Sequence, residues 1–187
     1  WAQQPLRLRS DFPVGVMGLG VLGERVAQAV AQFDFPVRGW SRSPKQIAGV
    51  QCFAGSAQLP DFLRATRILV NLLPLTAQTE NIINAGLLAQ LQPGAYVINV
   101  ARGAHLVDAD LLAALDSGQV AGATLDVFRT EPLPAEHPFW QQPQIRITPH
   151  SSARTLPEET LQQILHKLRA FAAGEKPGGM VYADRGY

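Results

Sequence analysis

Short apolar runs rich in β-branched residues alternate along the chain with stretches of helical periodicity. Residues 14–17 are predicted as a buried strand, and a glycine-rich turn follows them. Residues 21–33 then read as a helix, with Val26, Ala27, Val30 and Phe33 on one face. Further strands are predicted over 36–40, 51–53, 67–73 (closed by Pro74), 95–100, 121–127 and 145–148. Residues 108–115 read as a helix with an acidic start, closed by Ser117-Gly118. Residues 157–172 form the last long helix, ended by Gly174. Continuous apolar strands alternating with helices imply a parallel sheet covered on both faces. The fold expected is therefore α/β, a doubly wound Rossmann sheet with a C-terminal helix and tail. The Pro-rich stretch 131–143 reads as a surface loop.

Composition narrows the picture little. The 187 residues suffice for one domain with a sizeable core, and 47% are apolar without any run of membrane-spanning length. A formal net charge of +1 gives no case for a nucleic-acid or membrane surface. Cys52 has no internal disulfide partner and sits in an apolar run, so a buried thiol and a cytoplasmic location are expected.

The turn Gly18-Leu19-Gly20-Val21-Leu22-Gly23 carries the first chemistry. It follows a strand and opens a helix, the setting a dinucleotide site requires. Gly18 permits the tight turn, Gly20 lets backbone approach a pyrophosphate, and Gly23 lets helix and strand pack closely. The pyrophosphate then meets free N–H groups at the helix N-terminus. Where an NAD site usually places an acid, after the second strand, this chain reads Trp40-Ser41-Arg42-Ser43-Pro44-Lys45. Ser41 can donate to a 2′-phosphate and Arg42 can form a charge-assisted bond with it, so NADPH is expected over NADH.

Ionisable groups cluster at the predicted carboxyl ends of the other strands, where open α/β sheets bind ligands. Arg102 follows the fifth strand in Ile-Asn-Val-Ala-Arg-Gly. Asp126 ends the sixth in Leu-Asp-Val-Phe-Arg-Thr-Glu-Pro, with Glu131 beyond it, and His150 follows the seventh in Thr-Pro-His. His105, His137 and His166 have no comparable setting, and no metal site is expected.

Together with the glycine turn, these motifs resemble the D-2-hydroxyacid dehydrogenase family. Leu72-Leu73-Pro74-Leu75-Thr76, the Leu112-Ala113-Ala114-Leu115-Asp116-Ser117-Gly118 stretch and the ending Asp184-Arg185-Gly186-Tyr187 resemble its branch acting on glyoxylate and hydroxypyruvate. The resemblance implies NADPH-dependent reduction of such small 2-keto acids to D-2-hydroxy acids. It implies a catalytic set of Arg102, Glu131 and His150. Arg102 would bind the substrate carboxylate and polarise the ketone. His150 would protonate the oxygen, and Glu131 would hold His150 and favour its protonated form. Asp126 would lie near the nicotinamide carboxamide, with Pro74 and the Val100 backbone lining that pocket. The full cofactor set is Gly18, Gly20, Val21, Leu22 and Gly23 at the turn; Ser41, Arg42, Ser43 and Lys45 after the second strand; and Leu73, Pro74, Val100, Ala101, Arg102, Asp126, His150 and Ser152 elsewhere. The chemistry is coherent, since reducing a ketone develops charge on oxygen that a fixed cation stabilises and a nearby acid quenches.

The resemblance also implies a homodimer formed through the cofactor domain, and a second, substrate-side domain. The chain opens on Trp1 without an initiator Met. The organisation expected is a residual segment of that domain over 1–12, the cofactor-binding domain over 13–151, and a helix and tail over 152–187 returning toward the substrate side. Such a fragment is expected to bind cofactor but turn over poorly, because its site cannot close against water. Two rivals stand beside this reading. A non-catalytic dinucleotide-binding module would have no need of Arg102, Glu131 and His150 together. An NAD-linked dehydrogenase of larger acids such as phosphoglycerate would not need Ser41 and Arg42.

Overall fold

The computed structural model describes residues 7–153 and 155–179. Seven parallel strands form one sheet in the order β3-β2-β1-β4-β5-β6-β7. They are β1 (Val14–Met17), β2 (Val37–Ser41), β3 (Val50–Ala54), β4 (Ile68–Asn71), β5 (Ala95–Asn99), β6 (Val120–Leu125) and β7 (Ile145–Ile147). The order reverses between β1 and β4, which opens a crevice at their carboxyl ends. The helices are α1 (Val21–Ala31), α2 (Gly55–Arg64), α3 (Ala85–Leu88), α4 (Asp108–Asp116) and α5 (Pro157–Ala172). Two apolar layers sandwich the sheet. One packs Val14, Val16, Leu19, Val37 and Val70 with Ala27 of α1. The other packs Met17, Trp40, Leu69, Val97 and Leu125 with Phe62 and Leu63 of α2 and Leu111 and Leu115 of α4.

The chain divides into two compact units, Trp1–His150 and Ser151–Tyr187. In the second, α5 carries Leu161, Ile164, Leu165 and Leu168 at helical spacing, each at least 43% exposed. Among the described residues no helix is long and apolar enough to cross a membrane.

Several expectations need correction. Helix α2 lies where no helix was predicted, because Gly55 at its start and Pro60 inside it read as breakers. Burial of Phe62 and Leu63 against the sheet overrides that local signal. The stretch 131–143 is more than a surface loop. A 3-10 turn, Pro138–Gln141, drives Phe139 into the core at 2% exposure. Cys52 is half-buried on the edge strand β3 rather than buried. The predicted 67–73 and 95–100 strands end early, at Asn71 and Asn99, for a reason that belongs to the site.

Candidate functional site

The glycine turn lies at the crevice. Gly18 adopts φ +105°, and a Cβ there would lie 2.7 Å from the Leu72 carbonyl carbon, so β1 and the end of β4 approach as only glycine permits. A Cβ on Gly23 would lie 1.8 Å from the Gly18 carbonyl oxygen, which brings α1 down onto the turn. Gly20 is different: a Cβ there would meet nothing within 4 Å. It is the N-cap of α1, has no side-chain cap, and its carbonyl takes the first helical bond from Glu24. The amides of Val21, Leu22 and Gly23 therefore precede that first bond, beside open space. Val21 and Leu22 are 81% and 54% exposed, while Leu19 is buried against Gly39 of β2. This cradle fits a dinucleotide pyrophosphate.

After β2, Trp40 is pinned by its indole N–H donating to the Gly55 carbonyl at 2.9 Å. Ser41 is nearly buried and its hydroxyl donates to the Ser43 carbonyl at 2.8 Å, so it shapes the loop. Arg42, Ser43 and Lys45 are exposed beyond it. On the other side of the crevice, the Leu73 and Ala101 side chains are buried, while Pro74 and Val100 are partly open.

The remaining carboxyl ends carry the ionisable groups. Arg102 is exposed just after β5, its guanidinium donating to the Ala101 carbonyl at 2.6 Å. Gly103 packs so tightly on the chain after β6 that a Cβ would lie 1.9 Å from the Phe128 carbonyl carbon. That contact brings the Arg102 loop against the segment leading to Glu131. The Asp126 amide donates to the Asn99 carbonyl at 3.0 Å, and the His150 amide donates to the Asp126 carbonyl at 2.9 Å. Three neighbouring strand ends are thereby stitched in order. The Asp126 side chain is buried and accepts a hydrogen bond from Thr148 Oγ1.

His150 and Glu131 form a pair. His150 Nδ1 donates to Glu131 Oε2 at 2.8 Å, since an ionised carboxylate can only accept. Glu131 Oε1 accepts the Phe128 amide at 2.9 Å. The bond from His150 and that amide hold the Glu131 carboxyl below the ordinary carboxylate value. Nε2 of His150 takes no part in this pair. Ser152 belongs to the second unit and is exposed there.

Sequence reasoning missed four side chains. Asn71 and Asn99 are buried register partners at the last positions of β4 and β5. Each accepts the backbone N–H two residues on, from Leu73 and Ala101 at 3.2 Å, which turns the chain out of the sheet and ends both strands. Arg129 donates to Asn81 Oδ1 at 2.5 Å and to the Ala104 and Leu106 carbonyls at 3.2 and 3.3 Å, locking the segment beyond Arg102. His105, read as having no comparable setting, is fully buried, its ring between the Asn71 side chain and the Pro74 carbonyl. An Asn ending an apolar strand two residues before a turn was the available signal.

The sheet order, the glycine cradle and the polar carboxyl edge define a doubly wound dinucleotide-type domain. Residues 1–152 match the profile of the D-isomer specific 2-hydroxyacid dehydrogenase NAD binding domain, and the chain belongs to that family. It is 54% identical over 186 residues to a glyoxylate/hydroxypyruvate reductase A of Yersinia enterocolitica, covering 98% of this chain and 59% of the relative. It is 53% identical to the protein of that name from Serratia proteamaculans, covering 100% of this chain and 60% of the relative. The chain thus spans about three fifths of the curated relatives it matches. Among solved structures, an NADPH-dependent glyoxylate/hydroxypyruvate reductase from Sinorhizobium meliloti, in complex with NADP and sulfate, superposes with a TM-score of 0.95 at 40% identity, covering 100% of this chain and 60% of that one. A D-isomer specific 2-hydroxyacid dehydrogenase from Xanthobacter autotrophicus, in complex with NADPH and MES, superposes with a TM-score of 0.96 at 45% identity, covering 100% and 77%.

Proposed function

We propose that this chain serves an NADPH-dependent reductase of small 2-keto acids, glyoxylate and hydroxypyruvate foremost, yielding D-2-hydroxy acids. The observation that carries the proposal is the row of Arg102, Glu131 and His150 on stitched neighbouring loops, at the sheet edge that also bears the glycine cradle. The names of the relatives from Yersinia enterocolitica and Sinorhizobium meliloti support the substrate class.

The residues divide the work. The amides of Val21, Leu22 and Gly23 hold the pyrophosphate, and Arg42, with Ser43 and Lys45 beside it, meets the 2′-phosphate. Pro74, Val100 and the Ala101 backbone line the nicotinamide end. When bound there, the reduced nicotinamide supplies the hydride. Arg102 offers a planar fork to the substrate carboxylate and a fixed positive charge to the ketone oxygen. His150 delivers its Nε2 proton to that oxygen. Glu131 is a positioning residue that fixes the imidazole through Nδ1, and Asp126 anchors the His150 loop through its backbone and Thr148. A homodimer formed through this domain and a cytoplasmic location complete the reading. The family's usual assembly supports the first, and the lone Cys52 supports the second.

The deciding experiment screens short 2-keto acids with NADPH and NADH in the full-length protein, alongside Arg102→Ala and His150→Ala. Turnover of glyoxylate or hydroxypyruvate that either substitution abolishes is expected. Unchanged turnover in both variants refutes the assignment.

A further inference from the structure

His105 is fully buried three positions past Arg102, and the reaction as drawn makes no use of it. Its hydrogen bonds can each run in only one direction. The Leu73 amide can only donate, so the side-chain atom it meets on Asn71 is Oδ1. The Asn71 NH2 then donates to Asn99 Oδ1 and to His105 Nδ1, both at 3.0 Å. His105 Nδ1 therefore carries no proton. The single ring proton sits on Nε2, which faces the Pro74 carbonyl at 3.3 Å. Asn99 is fixed by the same logic. Its Oδ1 accepts the Ala101 amide at 3.2 Å, and its Nδ2 donates to the Arg102 carbonyl at 3.0 Å.

The imidazole thus spans two walls of the site. It holds the Pro74 carbonyl directly and the Arg102 carbonyl through two asparagines. A protonated ring would press an N–H against the Asn71 NH2, so the network accepts only the neutral form. Burial lowers the His105 pKa from its ordinary value and the Arg102 charge lowers it further, against the raising influence of the Pro74 carbonyl.

We propose that His105 is a positioning residue that sets the spacing between Pro74 and Arg102, and so orients the nicotinamide end of a bound dinucleotide. The proposal rests on the reductase reading above. The adenosine end is outside its reach. Arg42 and Ser43 follow β2, which lies across β1 from β4 and β5.

Calorimetric titration of NADPH and of 2′-phospho-ADP-ribose, which lacks the nicotinamide, tests this in wild type, His105→Leu and His105→Gln. Leucine keeps the bulk and removes both bonds. Glutamine restores an N–H toward Pro74. His105→Leu is expected to weaken NADPH about tenfold, the scale of one or two hydrogen bonds, with 2′-phospho-ADP-ribose unchanged and His105→Gln recovering part of the loss. In the full-length protein kcat for 2-keto acid reduction with NADPH is expected to fall with it. Equal weakening of both ligands shows a general structural role and overturns the proposal, as does no weakening at all. Should His105→Leu not fold, His105→Gln decides alone: NADPH weakened while 2′-phospho-ADP-ribose is unchanged sustains the proposal, and any other pattern ends it. If wild type binds neither ligand, the reductase reading itself fails and the proposal falls with it.

Discussion

His150 and Glu131 are 19 positions apart in sequence, and their side chains meet at 2.8 Å. His150 adopts φ +49°, a left-handed conformation unusual for a residue with a side chain. The hydrogen bond its backbone N–H donates to the Asp126 carbonyl holds it there. With the backbone in this conformation the imidazole meets the carboxylate through Nδ1, and Nε2 is outside the pair. Replacing Glu131 by glutamine removes the charge while keeping the shape. Glu131→Gln is expected to lower kcat for 2-keto acid reduction roughly ten- to a hundredfold, less than the roughly hundred- to ten-thousandfold attributed to a positioned proton donor, because it disturbs the donor without removing it. NADPH affinity stays as in wild type. Steady-state kinetics beside calorimetry separate the two.

Glu131 also makes stability depend on pH. Its pKa is lowered by the His150 bond and the Phe128 amide, so the folded state favours the ionised carboxylate. A lowered acid contributes stability that is fully present above its unfolded value and is lost as pH falls through the folded one. The contribution therefore disappears on acidification below the ordinary 4.5 of a glutamate. Side-chain exposure of 36% keeps it small. Melting curves of wild type and Glu131→Gln should differ near neutrality and converge in acid. A gap that widens in acid contradicts this account.

The strand order and the glycine cradle were legible because both follow from local pattern. Apolar runs give strands, and a glycine turn between strand and helix has one common use. Arg102 and His150 could be singled out as candidates for a related reason, since each stands a few residues past a strand end, and Glu131 because it lies in the loop that follows β6. The network beneath them was not. Asn71 and Asn99 lie 28 positions apart and become partners only through the β4–β5 register. His105 looks like any histidine until that register places it under Pro74. Helix α2 was hidden by Gly55 and Pro60, whose local cost the buried Phe62 and Leu63 outweigh.

Arg42 should decide between the two cofactors. Ser41 donates its hydroxyl inside the loop, so the proposed function assigns recognition of a 2′-phosphate to the exposed Arg42, Ser43 and Lys45. A charge-assisted hydrogen bond contributes about 1.5–3 kcal/mol, on the order of ten- to a hundredfold in affinity. Arg42→Ala should weaken NADPH by about that factor, leave NADH unchanged, and steepen neither salt dependence. An unaltered ratio of the two affinities would falsify the assignment of Arg42.

Two glycines of the turn should respond differently. A methyl on Gly23 would sit 1.8 Å from the Gly18 carbonyl oxygen, so α1 must move off the turn. Overpacking of that kind costs roughly 1–3 kcal/mol, and Gly23→Ala is expected to melt several degrees lower. Gly20 has φ −72°, open to any residue, and its added methyl would meet nothing within 4 Å. As an N-cap, glycine is better than alanine by roughly 0.5–1 kcal/mol, so Gly20→Ala should melt only slightly below wild type. The methyl does enter the space where the pyrophosphate must approach the backbone. Gly20→Ala should therefore lose NADPH affinity with little loss of stability, whereas Gly23→Ala loses both affinity and stability. Thermal melts and calorimetry on the same samples give the comparison. A Gly20→Ala protein that binds NADPH as tightly as wild type removes the cradle from the cofactor site.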